Sequence, residues 1–77
     1  MSDSTLAYYC DEMRHLVCTP YSVSNLHKMA ADLGIHRCWY HASAKYPHYD
    51  IPKRRIKEIQ ARCKVVSPRE ILAIMRG

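Results

Sequence analysis

Apolar positions recur along this chain at two spacings, and the switches between them mark its elements. Leu6-Ala7-Tyr8-Tyr9-Cys10 is short, aromatic and apolar, and Asp11-Glu12 ends it, which predicts a strand with carboxylates at its C-terminal end. Leu16-Val17-Cys18, shortly before Pro20, predicts a second and briefer strand. Val23, Leu26, Met29, Ala30 and Leu33 then fall at helical spacing. Ser22 can cap that helix at its start, and Gly34 can turn the chain away at its end. Cys38-Trp39-Tyr40-His41 predicts a third strand, and Ala42 to Pro47 a loop.

Asp50 reads as the cap of a second helix, with Pro52 tolerated in its first turn. Ile56, Ile59 and Cys63 form the stripe that this helix would bury, with basic side chains around the rest of it. Val65-Val66 predicts a further short strand. Ser67-Pro68-Arg69-Glu70 is a capping box with proline at the first helical position. It predicts a third helix to Met75 that buries Ile71, Leu72 and Met75.

Strands alternating with helices predict the α/β class: a small, partly parallel sheet of three to four short strands with three helices packed on it. Seventy-seven residues leave room for one domain, residues 1–77. A chain of this size buries only ~60% of its unfolded surface. A ligand, a partner or a homodimer contact is therefore an expected source of extra stability. In parallel sheets ligands lie beyond the C-terminal ends of the strands. Asp11, Glu12, His41 and the stretch to Asp50 would collect there.

Composition changes this picture in three respects. The large rings are six Tyr and one Trp, with no Phe, so each carries a hydrogen-bonding group. Such rings suit a half-exposed core as well as an interface or a base-stacking site. Cys10, Cys18, Cys38 and Cys63 include no CxxC pair and sit in or beside apolar runs, which predicts reduced thiols, mostly buried. Together with a polar, non-basic start at Met1-Ser2-Asp3-Ser4, this places the protein in a cytoplasm. No apolar run is long enough for a membrane, so no membrane partner is expected.

The formal charge is +5 and uneven: Lys53, Arg54, Arg55, Lys57, Arg62 and Lys64 face only Glu58 in their segment. That segment reads either as an attractor of phosphate or as a solvated helix face, and both readings stay open.

The polar groups with chemical potential form two clusters. His48-Tyr49-Asp50 combines an imidazole, a phenol and a carboxylate just before the expected second helix. There His48 would act as proton donor or phosphate contact, with Lys53, Arg54 or Arg55 holding the charge. The other cluster is Asp11, Glu12, Arg14 and His15. The two are expected to face each other across one pocket that accepts an anion, with His48 and His15 as the candidate catalytic groups.

Asp11 and His15, joined by His41, His48 or Asp50, would also make a mixed oxygen and nitrogen metal site. No fixed-spacing motif such as HExxH supports a metal, and no cofactor is assigned. His27 reads as a structural residue of the first helix and His36 as a solvated turn residue. Trp39 and Tyr40 alternate on a strand, so one of them at most lines a pocket. Two glycines exclude the P-loop and the dinucleotide fingerprint, and GxSxG is absent. Cys10 or Cys18 with His15 can be written as a nucleophilic pair.

Several of these segments together resemble the domain-of-unknown-function 4031 family of bacteria and their phages. They are Tyr9-Cys10-Asp11-Glu12-Met13-Arg14, His15-Leu16-Val17, Leu26-His27-Lys28-Met29-Ala30 through Leu33-Gly34, Trp39, His48-Tyr49-Asp50-Ile51 with its basic helix, and Val66-Ser67-Pro68-Arg69-Glu70. The resemblance runs over nearly the whole chain after Leu6. Here Glu12 stands where the family has a second aspartate, His15 follows Arg14 without the family's longer loop, and Thr19-Pro20 is inserted. The resemblance implies a cytoplasmic, phage-borne protein with Asp11, Arg14, His15, Trp39, His48, Tyr49 and Asp50 as the matching polar and aromatic positions.

The functional expectation is a small module that binds an anionic, nucleotide-like or phosphate ligand, in a setting of host takeover or anti-defence. The expected ligand contacts are Asp11, Arg14, His15, Trp39, His48, Tyr49, Asp50, Lys53, Arg54 and Arg55. A metal- or His-dependent phosphoester hydrolase is the enzymatic alternative. A module that presents its basic helix to a host protein or a nucleic acid is the third reading.

Overall fold

The computed structural model describes residues 6–42 and 45–77, so the loop expected from Ala42 to Pro47 lies partly outside the described residues. Strands β1 (Ala7–Cys10) and β2 (His15–Thr19) form an antiparallel hairpin, with Tyr8 opposite Cys18 and Cys10 opposite Leu16. Helix α1 (Val23–Leu33) starts as its sequence dictates: the Ser22 hydroxyl accepts from the Asn25 N–H. It ends at Gly34, whose φ of 71° is open to glycine at no steric cost. A single 3₁₀ turn (Arg37–Trp39) leads into β3 (Tyr40–His41), followed by β4 (His48–Asp50). A second 3₁₀ turn (Lys53–Arg55) leads into α2 (Ile56–Arg62). The chain then closes with β5 (Lys64–Val65) and α3 (Pro68–Arg76). Helix α3 carries the capping box foreseen at Ser67 and Glu70.

The sheet has five strands in the order β3-β4-β2-β1-β5, and β1 with β5 is its one parallel pair. The α/β class holds. The expectation of three to four strands falls short because His48–Asp50 is a strand rather than a loop ending in a helix cap. Tyr49 is fully buried while His48 and Asp50 flank it half-buried, which is the period of two that a pleated strand imposes. Asp50 does not cap α2. It pairs with His15 across β2, and Ile51, as the residue before Pro52, is disfavoured in helical conformation.

Trp39 likewise belongs to a 3₁₀ turn rather than to the strand that follows it. The exposed His36 ring accepts the Cys38 N–H at 3.0 Å and thereby caps that turn. In α3, Ile71 is buried, but Leu72 is 39% exposed, because it lies about 100° around the helix from Ile71.

Alternation sorts the sheet into two faces. Tyr8, Cys10, Leu16, Cys18, Tyr40 and Tyr49 share the face covered by α1, where the Tyr8 hydroxyl reaches Asp32 and the Tyr49 hydroxyl meets His27. Val17, His15, His48, Asp50 and His41 share the other face, and α3 packs across β2 there. Leu26, Met29, Leu33, Ile51, Ile59 and Ile71 complete the core.

Candidate functional site

The site is built from the turn between β1 and β2. Asp11 ends β1 and is fully buried, so its carboxylate must find donors inside the protein. It finds three: Oδ1 accepts from Met13 N at 2.9 Å and from His15 N at 3.0 Å, and Oδ2 meets His15 Nδ1 at 2.9 Å. The turn is tight because only three residues separate Asp11 from His15. It closes through Arg14 N to Asp11 O and Asp11 N to His15 O.

Arg14 takes the left-handed backbone with φ 69°. Its guanidinium donates to the Ile51 carbonyl at 3.1 Å, and its own carbonyl accepts the Ile51 N–H at 2.9 Å. Arg14 therefore ties the β1–β2 turn to the end of β4.

That tie brings His15 beside His48 and Asp50, while Asp11, expected as a ligand contact, is fully buried against His15 and closed to a ligand. His15 lies opposite Asp50, and His41 lies opposite His48. The His48 ring stacks on His41 at 5.2 Å between centroids and meets His15 edge-on at 5.1 Å. Asp50 sits between them, with Oδ2 at 2.9 Å from His41 Nε2 and Oδ1 at 3.6 Å from His48 Nε2. His48 Nδ1 lies 2.9 Å from the Tyr46 carbonyl. His15, His48 and Asp50 each offer a ligand atom within 4.8 Å of the other two, a spacing that could hold a metal ion. His15 and His48 also form the polar wall of a cavity of about 260 Å³ completed by Lys45, Tyr46, Pro68, Ile71, Leu72 and Met75.

The basic residues expected in the same pocket lie elsewhere. Lys53, Arg54 and Arg55 line a cavity of about 400 Å³ with Gly34, Ile35, His36, Trp39 and Pro52. Arg55 is engaged inside it: it donates to the Leu33 and Gly34 carbonyls at 2.7 Å each and pairs with Glu58. It thus satisfies the open carbonyls at the end of α1 and places a cation where the helix dipole favours one. Its hydrogen bond in turn holds the Glu58 carboxyl below the ordinary range. Lys53 and Arg54 are exposed, and neither is paired with a carboxylate among the described residues.

Tyr49 faces neither cavity. It is fully buried under α1, with its hydroxyl 2.8 Å from His27 Nδ1, and burial pushes its phenol up. His27 is the structural residue its position implied.

The Cys10 and Cys18 thiols point to the α1 face, away from His15, and burial pushes Cys18 up to about 11 and Cys10 in the same direction. They are poor nucleophiles. All four cysteines are free, with Cys38 exposed. Sequence reasoning missed the Tyr46 carbonyl, Lys45 and the α3 wall of the histidine cavity. No local pattern marks them, since α3 reaches the cluster only through the packing of the whole sheet.

No described helix is long and apolar enough to cross a membrane. Searches of curated proteins and of solved structures return no match. The sequence model of one family, described as protein of unknown function (DUF4031), matches residues 2–77 and so covers virtually the whole chain. The protein belongs to the DUF4031 family.

Proposed function

We propose that this protein is a binding module for an anionic, nucleotide-like ligand, held in the cleft between Trp39 and the Lys53-Arg54 pair. The observation that carries the reading is the pair of exposed cations without carboxylate partners among the described residues, set on the rim of a cavity that also presents an indole. A half-buried Trp39 ring offers a stacking surface for a base, and two exposed cations attract phosphate. The excess positive charge of the chain, +5, adds a long-range attraction of the same sign. The histidine cavity supports this function less well, because Asp11 and Asp50 bring negative charge to it. In a phage-borne protein such a module would sequester a nucleotide during host takeover or anti-defence.

Trp39 is the chain's single tryptophan, so its fluorescence reports on the cleft directly. Titration with nucleoside 5′-phosphates is expected to quench it, more strongly at low ionic strength. Lys53→Ala and Arg54→Ala should each weaken binding at least tenfold, ~1.4 kcal/mol, with folding intact. His48→Ala should bind like the parent. If unphosphorylated nucleosides bind as well as nucleotides, or if Arg54→Ala changes nothing, the reading fails.

A further inference from the structure

The histidine cluster asks for a different ligand. Two of its imidazoles have one ring nitrogen already committed. The Tyr46 carbonyl can only accept, so His48 Nδ1 carries the hydrogen and the lone pair of the neutral ring sits on Nε2. Asp11, buried and accepting from two backbone amides, takes the His15 Nδ1–H in the same way and leaves that ring's lone pair on Nε2. Such fixing of the far nitrogen by a carboxylate or a carbonyl is the arrangement that orients imidazoles toward metal ions.

His48 Nε2 then faces Asp50 Oδ1 at 3.6 Å, too far for a hydrogen bond and with an acceptor on both sides. In the neutral ring these are two facing acceptors, an arrangement that a cation between them stabilises. The other carboxylate oxygen is held by His41 Nε2 at 2.9 Å, which steadies Asp50 from outside the cluster.

We propose that His15, His48 and Asp50 form a site for a divalent first-row transition ion of the zinc class, with Asp11, the Tyr46 carbonyl and His41 orienting the three ligands. Each of the three side chains offers one ligand atom within 4.8 Å of the other two. Bonds of ~2.0–2.2 Å in a tetrahedral shell set donors roughly 3.4 Å apart, so small side-chain rotations close the site. Two imidazoles and one carboxylate select zinc, cobalt or nickel over magnesium and calcium, which prefer oxygen alone. Three protein ligands leave a coordination position free, and the cavity walled by Lys45, Tyr46, Leu72 and Met75 adjoins two of them. The site is separate from the Trp39 cleft and does not depend on nucleotide binding there.

The test uses the full chain, purified without a polyhistidine tag, stripped with chelator and titrated with Zn²⁺ alone by calorimetry. One equivalent per chain is expected, with no binding of Mg²⁺ at the same concentration. His15→Ala and His48→Ala should each weaken Zn²⁺ binding at least 100-fold, and Asp11→Asn, which keeps all three ligands, by roughly 10- to 100-fold. Cys38→Ser should leave it unchanged, which separates the site from the exposed thiol. With Co²⁺ in place of zinc, the visible d–d spectrum should show low-coordinate nitrogen and oxygen ligation. Binding of well under one equivalent by the parent chain overturns the proposal, whatever the variants do. So does an affinity that His48→Ala and His15→Ala, confirmed folded by circular dichroism, leave unchanged.

Discussion

An arginine in the left-handed region costs roughly 1 kcal/mol or more relative to glycine, because its Cβ crowds the following carbonyl. Arg14 holds φ 69° and yet makes two hydrogen bonds with Ile51. Backbone strain and tether therefore sit on one residue, and two substitutions separate them. Arg14→Ala keeps the strain and loses the side-chain bond, while Arg14→Gly loses the bond and relieves the strain. The glycine variant should be the more stable by about 1 kcal/mol in urea denaturation; equal stabilities would contradict the backbone assigned to this turn. At this scale the site was legible by residue type. Asp11, His15, His48 and Asp50 are picked out by their chemistry, and they do converge. Their partners were not legible, because Asp50 before a proline-containing turn looks like a helix cap as much as like a strand residue.

Elements with strong punctuation were the readable ones. Helix α1 has a serine cap, five apolar positions at helical spacing and a terminal glycine, and α3 has a complete capping box. Strands of two or three residues are too short to show a period in sequence alone, so the segment of β4 resembles a loop and that around Trp39 a strand. The helix faces can be checked by truncation. Leu26 and Ile59 are fully buried, and Leu26→Ala or Ile59→Ala should cost about 2–5 kcal/mol in unfolding free energy. Leu72, 39% exposed, should lose less than about 1 kcal/mol on the same change. Similar losses at all three positions would mean that α3 is rotated from the orientation described.

For the whole molecule, the core and its margin contain acids that the fold keeps protonated. Burial pushes Cys18 up to about 11, and burial with the neighbouring Cys10 pushes Cys63 up to about 12. Burial and the hydrogen bond to Asp32 push Tyr8 up to about 12. Each is raised above its unfolded value, so the folded chain binds more protons than the unfolded one at alkaline pH. Their contribution is complete below pH 9 and is lost as pH rises through 11 and 12. The urea midpoint should accordingly fall between pH 9 and 11, and Cys18→Ala, though weaker overall, should fall less steeply. A parent midpoint that is flat across that interval would show these groups to be solvated.

The ends of the sheet have a consequence for how this chain meets other chains. Its two outermost strands, β3 and β5, are each two residues long, and β5 begins with Lys64. An incoming strand needs a row of open backbone amides and carbonyls, and so short a margin with a lysine on it offers almost none. Runaway stacking of one copy on the next through backbone ladders is thereby discouraged. The longest strand, β2, lies inside the sheet, paired with β1 from Leu16 to Thr19 and with β4 at His15 and Leu16, so that much of its backbone is closed to another chain while the fold is intact.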